Sequence, residues 1–290
     1  MQQFSTPAEI RAWTREQRKA GKTVGFVPTM GALHDGHRSL IAAACAECDE
    51  VVVSIFVNPT QFDNPEDLEN YPNMLADDLG ICTAAGVGAV FTPDRDKMYP
   101  NGYATFVDVV GNLTDKLCAV ARPGHFRGVA TVVTKLFNAV VPDVAFFGQK
   151  DLQQALVISR MVSDLDMGVE VRVCPTVREP DGLAMSSRNR RLSEEGREKA
   201  LALPRGLEMA NQAYAAGERD SNKLIEILAM ELLVHTGVDL DYAQVVSLTG
   251  FEEVDEVKDS CVLAAAAFVD EVRLIDHIHL GGPALPVSLD

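Results

Sequence analysis

Basic residues are in short supply: 26 Lys and Arg stand against 42 Asp and Glu in 290 residues, a formal charge of −16 with neutral histidines. A protein that wraps nucleic acid or lies on an anionic membrane needs a basic face to release counterions, so neither is expected as a partner. Cysteine is sparse as well. Six in the chain are too few for a disulfide scaffold, and the opening MQQFSTPAEI has neither the basic nor the apolar region of a secretory signal, so the expected location is the reducing cytoplasm. No apolar run reaches the ~18 residues of a membrane span; the longest, Val51 to Val57 and Cys261 to Val269, have strand length. Also missing are GxxxxGK[ST] and GxGxxG, which removes the Walker loop, with it kinase-type transfer, and the dinucleotide fingerprint. Internal repeats and low-complexity tracts are absent too. What is present is a 47% hydrophobic fraction, enough to build the cores of one large or two ordinary domains.

The pattern along the chain alternates. Thr6, Pro7 and Glu9 form the start signal of a helix that Gly21 ends. Strand signals at Thr23 to Pro28, Glu50 to Val57 and Ala89 to Thr92 are separated by helical patterns at His37 to Cys48 and Asp77 to Ala85. A second run follows: helix Phe126 to Val140, strand Asp143 to Gly148, helix Asp151 to Asp164 and strand Val169 to Cys174. Such alternation implies a parallel sheet covered on both faces. Residues 175 to 193 are polar and aperiodic, a hinge or interdomain loop. Beyond them lie helical patterns Glu194 to Ala216 and Ser221 to His235, then strands Asp241 to Ser247, Cys261 to Val269 and Val272 to His279. The expected fold class is α/β: a Rossmann-like doubly wound domain over residues 1–177 and a smaller α+β domain over 178–290.

Charge is unevenly placed. Residues 63 to 79 carry six acids and no base, and 238 to 276 carry ten acids against Lys258 and Arg273, which read as solvated faces. Arg122, Arg127, Lys135 and Lys150 face only Asp143 in 122 to 150, and Arg178, Arg188, Arg190 and Arg191 face Glu179 and Asp181 in 178 to 191. Two positive islands in an acidic chain point to a small polyanionic ligand.

The strongest constellation is PTMGALHDGH, Pro28 to His37, between a strand and a helix. A helix N-terminus beyond a strand's carboxyl end offers free N–H groups and a positive dipole to phosphate, and Gly31 and Gly36 allow close backbone approach. His34 and His37 place two imidazoles there, suited to charge developing on a phosphoryl group. FGQKDLQQ, Phe147 to Gln154, repeats the strand-to-helix setting: Lys150 suits a phosphate, Asp151 a ribose, and Gln153 and Gln154 a polar substrate. Taken alone, GQKD fits a surface turn about as well; AMSSRNRR, Ala184 to Arg191, supplies hydroxyls and a bidentate cation as a flexible phosphate clamp, with a solvated linker as the blander reading. Cys45 and Cys48 form a CxxC without a second ligand pair and read as core packing, as do the other cysteines and Trp13. No dedicated metal cage is visible.

HxGH followed by a Ser-rich basic loop resembles the nucleotidyltransferase superfamily related to class I aminoacyl-tRNA synthetases. With FVNPTQF (Phe56 to Phe62), EDLENYP (Glu66 to Pro72), RPGHFRGVATVV (Arg122 to Val133), REPDGLAMSSRNRRL (Arg178 to Leu192) and RLID (Arg273 to Asp276), the whole chain resembles the pantothenate synthetase, or pantoate–β-alanine ligase, family.

That resemblance implies ATP-dependent condensation of (R)-pantoate with β-alanine through a pantoyl adenylate, with Mg²⁺ accompanying ATP, in a homodimer. It implies an ATP site from Met30, Gly31, Ala32, Leu33, His34, Asp35, Gly36 and His37, with His37 as general acid for pyrophosphate departure and His34 as a phosphate donor. Gly148, Gln149, Lys150 and Asp151 would hold ATP, Lys150 on its phosphates; Val177 would meet adenine, and Met185, Ser186, Ser187 and Arg188 would form the phosphate loop, the second domain closing over the site. Gln61 would bind pantoate and β-alanine, Gln154 pantoate, and Asn58 would orient β-alanine, with Pro28, Met30, Phe56, Val57 and Phe62 as an apolar wall. Asn73, Leu152 and His277 depart from the family pattern, and His125 reads equally as helix-terminal packing or as catalytic. Two other classes fit the motifs: a nucleotidyltransferase that stops at the nucleotidyl product, and a non-catalytic nucleotide sensor. Amine-dependent AMP formation separates the ligase from both.

Overall fold

The computed structural model describes residues 1–63 and 65–282. Its strands are β1 (Gln2–Phe4), β2 (Val24–Thr29), β3 (Glu50–Ile55), β4 (Ala89–Phe91), β5 (Val144–Gly148), β6 (Glu170–Cys174), β7 (Val238–Ser247), β8 (Cys261–Val269) and β9 (Val272–Leu280). The helices are α1 (Pro7–Lys19), α2 (Asp35–Glu47), α3 (Pro65–Glu69), α4 (Leu75–Ala84), α5 (Arg95–Met98), α6 (Cys118–Ala121), α7 (His125–Val140), α8 (Leu152–Asp164), α9 (Glu194–Ala200), α10 (Ala202–Ala215) and α11 (Ser221–Leu233). Two compact units result, one from Met1–Thr114 with Cys118–Pro175, the other from Asp115–Leu117 with the chain from Thr176 onward.

In the first unit six parallel strands run in the order β1-β4-β3-β2-β5-β6. The alternation of side chains along each strand sorts two cores. Val24, Phe26, Val52, Ala145 and Phe147 meet Ile10 of α1, Phe137 of α7 and Ile158 of α8. Val27, Val51, Val53 and Phe146 meet Leu40, Ile41 and Ala44 of α2 and Cys82 of α4. Both faces are therefore covered, the doubly wound arrangement expected of near-continuous apolar strands. The box at the start of α1 forms as its sequence predicts: Glu9 N–H donates to Thr6 Oγ1 at 3.3 Å, and Thr6 N–H to Glu9 Oε2 at 3.0 Å. β1 is an unforeseen edge strand; three residues are too short for period-two patterning to register, and its pairing to β4 is what defines it.

The second unit carries the antiparallel sheet β7-β8-β9. Leu263, Ala265 and Ala267, alternate residues of β8, pack with Leu203 and Leu207 of α10 and Leu224 and Leu228 of α11. The helix expected over Glu194 to Ala216 is two helices, broken at Leu201. Pro204 has no N–H for the Ala200 carbonyl, and the helical ladder resumes with Arg205 N–H donating to Leu201 O at 3.1 Å. Residues 175 to 193, expected as an irregular hinge, are locally built: Arg178 and Ala184 form an antiparallel bridge around Gly182, whose φ is +97°, and Ser187–Arg191 is a 3₁₀ turn. Among the described residues no helix is long and apolar enough to cross a membrane.

Candidate active site

The chain winds outward from β2 through β3 to β4, then returns to place β5 on the other side of β2. That reversal is the topological switch point, where the carboxyl ends of adjacent strands open a crevice. The loops that leave β2 and β5 there carry the HxGH and GQKD motifs.

Thr29 ends β2, donating its hydroxyl to Ser54 O at 2.7 Å and accepting Gly31 N–H at 3.2 Å. Two left-handed residues follow, Gly31 at φ +83° and Ala32 at φ +52°, the second unfavourable by roughly 1 kcal/mol for an L-residue. Asp78, 1% exposed on α4, offsets this: its carboxylate accepts Ala32 N–H at 2.9 Å and Leu33 N–H at 2.8 Å. A Cβ on Gly31 would stand 2.9 Å from Asp78 Oδ2 and 3.1 Å from Ile55 Cγ2. The close approach that glycine permits is to Asp78, where the sequence suggested a phosphate. Ala32 and Leu33 are likewise turned inward, buried, with their amides already bound. The acidic run 63 to 79 is thus no uniform solvated face, since one of its acids braces this loop.

His34 caps α2, and its ring centroid lies 4.1 Å from that of His37. Gly36 makes the arrangement possible, because a Cβ there would fall 2.9 Å from His34 Cε1. His34 N–H donates to His37 Nδ1 at 3.3 Å, so the neutral His37 ring carries its proton on Nε2. Burial, then the neighbouring His34, depresses the His37 pKa to about 3; Lys150 pushes the same way and Asp151 opposes. At neutral pH the His37 ring of the unliganded site is therefore neutral, with Nε2–H as its donor, and acting as an imidazolium general acid would require a second proton. Lys150 Nζ lies 3.5 Å from Asp151 Oδ1 on the Gln149–Asp151 turn.

A second cluster surrounds Gln61 on the turn Pro59–Gln61 after β3. Asn58, 1% exposed, donates from Nδ2 to Gln61 Oε1 at 2.9 Å and to Gly128 O at 3.2 Å. Its Oδ1 accepts from Tyr99 Oη at 2.7 Å and Thr60 Oγ1 at 3.0 Å. Both ends of the Asn58 side chain are thus bonded inside the protein, and the expected contact with β-alanine would require one of these bonds to be exchanged. His125 donates from Nδ1 to Gln61 O at 2.8 Å, Arg122 donates to the same carbonyl at 3.1 Å and to His125 Nε2 at 3.1 Å, and Arg122 Nε reaches Asp63 Oδ1 at 3.2 Å. This decides between the two readings of His125: it positions Gln61. Burial, then Arg122, holds its pKa down at about 4. Gly128 is required because a Cβ would meet Thr60 O at 2.3 Å.

Gln153, which the sequence offered as a substrate contact, instead ties chain to chain, accepting Cys118 N–H at 3.1 Å and donating to Leu113 O at 2.9 Å. Gln154 beside it is half-buried. Phe56 is a core residue, whereas Pro28, Met30, Val57 and Phe62 are half-buried. Cys45 is exposed, against the expected core position, and Cys48 is buried. The first positive island disperses: Arg122 pairs with Asp63, Arg127 stacks 4.3 Å from the Phe106 ring and Lys135 4.7 Å from Tyr103, and Lys150 is the base that acts on His37.

In the second unit Met185 N–H donates to Val177 O at 3.0 Å, and Ser186 Oγ accepts Arg188 N–H at 3.3 Å. Asn189 bonds Glu179 Oε1 at 2.6 Å and Ala184 O at 3.0 Å. The expected flexible clamp is a hydrogen-bonded turn. Arg178 of this island is held by both oxygens of Asp276, at 2.6 and 3.0 Å, with that carboxylate 2% exposed.

Asp78, Tyr99 and Gly128 were not singled out from sequence. For Asp78 one signal existed, its position four residues before Cys82 on the buried stripe of α4.

His37 and His125 set an acid limit on stability. Both have folded-state pKa values depressed from 6.5, to about 3 and about 4. Below pH 6.5 the unfolded chain binds protons that the folded chain refuses, so stability is full above that pH and falls as pH drops toward 4. Urea unfolding at pH 5 is expected to show a loss of about 2 kcal/mol per histidine relative to pH 7, and His125→Asn to remove one share. A flat profile contradicts the burial assignment.

The chain matches the pantoate-beta-alanine ligase family over residues 2–279. It is 52% identical to a pantothenate synthetase of Pelotomaculum thermopropionicum over 277 residues, covering 96% of this chain and 98% of that one. Its fold superposes on a crystal structure of the Thermus thermophilus pantothenate synthetase with a TM-score of 0.92 at 42% identity, covering 97% of this chain and all of the other. A pantoate-beta-alanine ligase from Francisella tularensis, complexed with beta-gamma ATP and beta-alanine, matches with a TM-score of 0.79 at 34% identity over 96% of this chain and 97% of that one. With HxGH, GQKD and the Gln61 cluster gathered on a doubly wound sheet and the match spanning nearly every residue, the chain belongs to the pantoate–β-alanine ligase family.

Proposed function

We propose that the enzyme joins (R)-pantoate to β-alanine in two half-reactions: ATP and pantoate give pantoyl adenylate and pyrophosphate, and β-alanine then displaces AMP to form pantothenate. The observation that carries the reading is the pair His34 and His37 at the start of α2, close enough to Lys150 for its charge to act on His37. A carboxylate is a poor electrophile because its oxygen leaves badly, and adenylation exchanges that oxygen for a good leaving group. The attack on the α-phosphorus builds negative charge on phosphoryl oxygens. A neutral Nε2–H on His37 and the Lys150 ammonium are donors suited to that charge. His34 is a further phosphate contact. Met30 and the first turn of α2, Asp35 to His37, face the nucleotide, as do Gly148 and Gln149, with Asp151 on the ribose. Val177 is assigned to adenine and Met185 to Arg188 to phosphates on the family pattern. Gln61 and Gln154 hold pantoate, Gln61 also meets β-alanine, and the half-buried Pro28, Met30, Val57 and Phe62 supply an apolar wall.

Mg²⁺ enters with ATP, held by phosphate oxygens and water; the nearby carboxylates have other partners, Asp78 two backbone amides and Asp151 the Lys150 ammonium. No covalent intermediate on the protein is needed: the mixed anhydride is protected from water and the amine delivered by proximity. A cytoplasmic homodimer is the proposed state of the enzyme.

An assay with ATP, (R)-pantoate and β-alanine, each omitted in turn, tests the reading. Pyrophosphate exchange is expected with pantoate alone, and AMP accumulation when β-alanine is added. A stable adenylylated product with no amine requirement overturns it.

A further inference from the structure

The polarity of a buried carboxamide is set by neighbours whose own polarity cannot change. Two such groups bracket Asn58. The backbone N–H of Thr60 can only donate and approaches Asn58 Oδ1 at 3.4 Å; the carbonyl of Gly128 can only accept and lies 3.2 Å from Nδ2. Together they fix which end of Asn58 is oxygen. The remaining Asn58 N–H points at the Gln61 side chain, 2.9 Å away, and the atom receiving it must be Oε1. Gln61 is thereby oriented in turn, with its amino group directed to Met30 Sδ at 3.3 Å, a weak acceptor that is readily exchanged. His125 and Arg122 hold the same residue by its backbone carbonyl, so both oxygens of Gln61 already accept a bond, and the amino group, resting on a weak acceptor, is the end most readily offered to a ligand.

We propose that Asn58 is a positioning residue that turns the amino group of Gln61 toward the ligand, so that this part of the site reads an acceptor oxygen of the hydroxy acid. The inference rests on the reading of Gln61 as a substrate contact. It carries a consequence for selectivity: the Gln61 amino group favours the carboxylate of the second substrate over its amine. A site with a fixed donor penalises a ligand that offers another donor, because two N–H groups then face each other unpaired.

The test uses the full chain and pantoate-dependent pyrophosphate exchange, which requires no amine. Asn58→Asp preserves size but can only accept, so Gln61 must turn its amino group toward residue 58 and present Oε1 to the acid. KM for (R)-pantoate is expected to rise roughly 10- to 100-fold with KM for ATP within about twofold. In a Gln61→Ala background the same Asn58→Asp change is expected to add about twofold at most, since the route through Gln61 is gone. Full additivity in the double variant, or an equal rise in KM for ATP, overturns the proposal and marks Asn58 as merely structural. If Gln61→Ala leaves KM for pantoate unchanged, the substrate-contact reading of Gln61 fails and the proposal with it; if the wild type shows no exchange, it is the functional reading that fails. A measurement on the wild type keeps the proposal testable should Asn58→Asp not fold: with side-chain ¹⁵N-labelled glutamine, pantoate is expected to shift the Gln61 Nε2 resonance, and an unmoved resonance overturns it.

Discussion

His37→Ala is expected to lower kcat/KM for pantoate-dependent pyrophosphate exchange by roughly 100- to 1,000-fold, the loss typical of one donor removed from a site that stabilises developing charge. The charge state of the ring decides how it acts. His37 Nδ1 accepts His34 N–H, and burial beside His34 holds the ring's pKa at about 3. On the proposed reading it works as a neutral Nε2–H donor to an anion that the α2 N-terminus also favours. His37→Gln, which keeps a neutral N–H at similar reach, is expected to recover part of the activity lost in His37→Ala. The exchange profiles of the wild type and of His37→Gln are expected to run parallel between pH 6 and 8. A wild-type decline above pH 6.5 that vanishes in His37→Gln overturns the neutral-donor account, because it reports an imidazolium raised by bound phosphates.

Asp78→Ala carries the second large effect, through stability and catalysis together. Removing the carboxylate leaves the Ala32 and Leu33 amides without an acceptor in a buried loop that already contains an alanine at φ +52°. Each orphaned N–H costs about 1–3 kcal/mol, so a loss of about 3 kcal/mol in urea unfolding is expected. The same loop delivers His34 to the start of α2, and kcat/KM for exchange should fall at least 10-fold at temperatures where the variant is folded. Asp78→Asn is expected to fall between: it retains one acceptor but turns an NH₂ toward the other amide. Wild-type stability and activity in Asp78→Ala would mean that the loop holds its shape without the brace.

The longer strands and helices of the first unit were readable because local pattern and tertiary environment agree, as in β3, whose VVV is apolar on both faces because both faces are covered; the short β1, α3, α5 and α6 were not. HxGH and GQKD were readable because a strand, a tight turn and a helix N-terminus form a local unit. Misreadings cluster where a residue's partner lies far along the chain. Asp78 appeared as one acid in a run of six, yet its bonds go 45 and 46 residues back. Arg122 counted toward a cationic island, yet it closes on Asp63 and Gln61 some 60 residues away. Asn58, read only as a ligand contact, also bonds Tyr99 and Gly128, 41 and 70 residues on. Summed charge over a window cannot register such pairings, because a buried ion pair and a solvated patch have the same composition.

By itself the sequence determined the order of the longer strands and helices, the two strand-to-helix loops proposed to face the nucleotide and the family, since each is carried by residues adjacent in the chain. Tertiary structure alone decided which polar groups remain available for chemistry: burial keeps the His37 ring neutral, Asp78 takes the amides of the HxGH loop, and Asn58 turns the carboxamide of Gln61. The reason is that a hydrogen bond or a desolvated charge depends on what stands within about 3 Å in space, and for these three residues the deciding neighbours come from other elements of the fold or from burial beneath them.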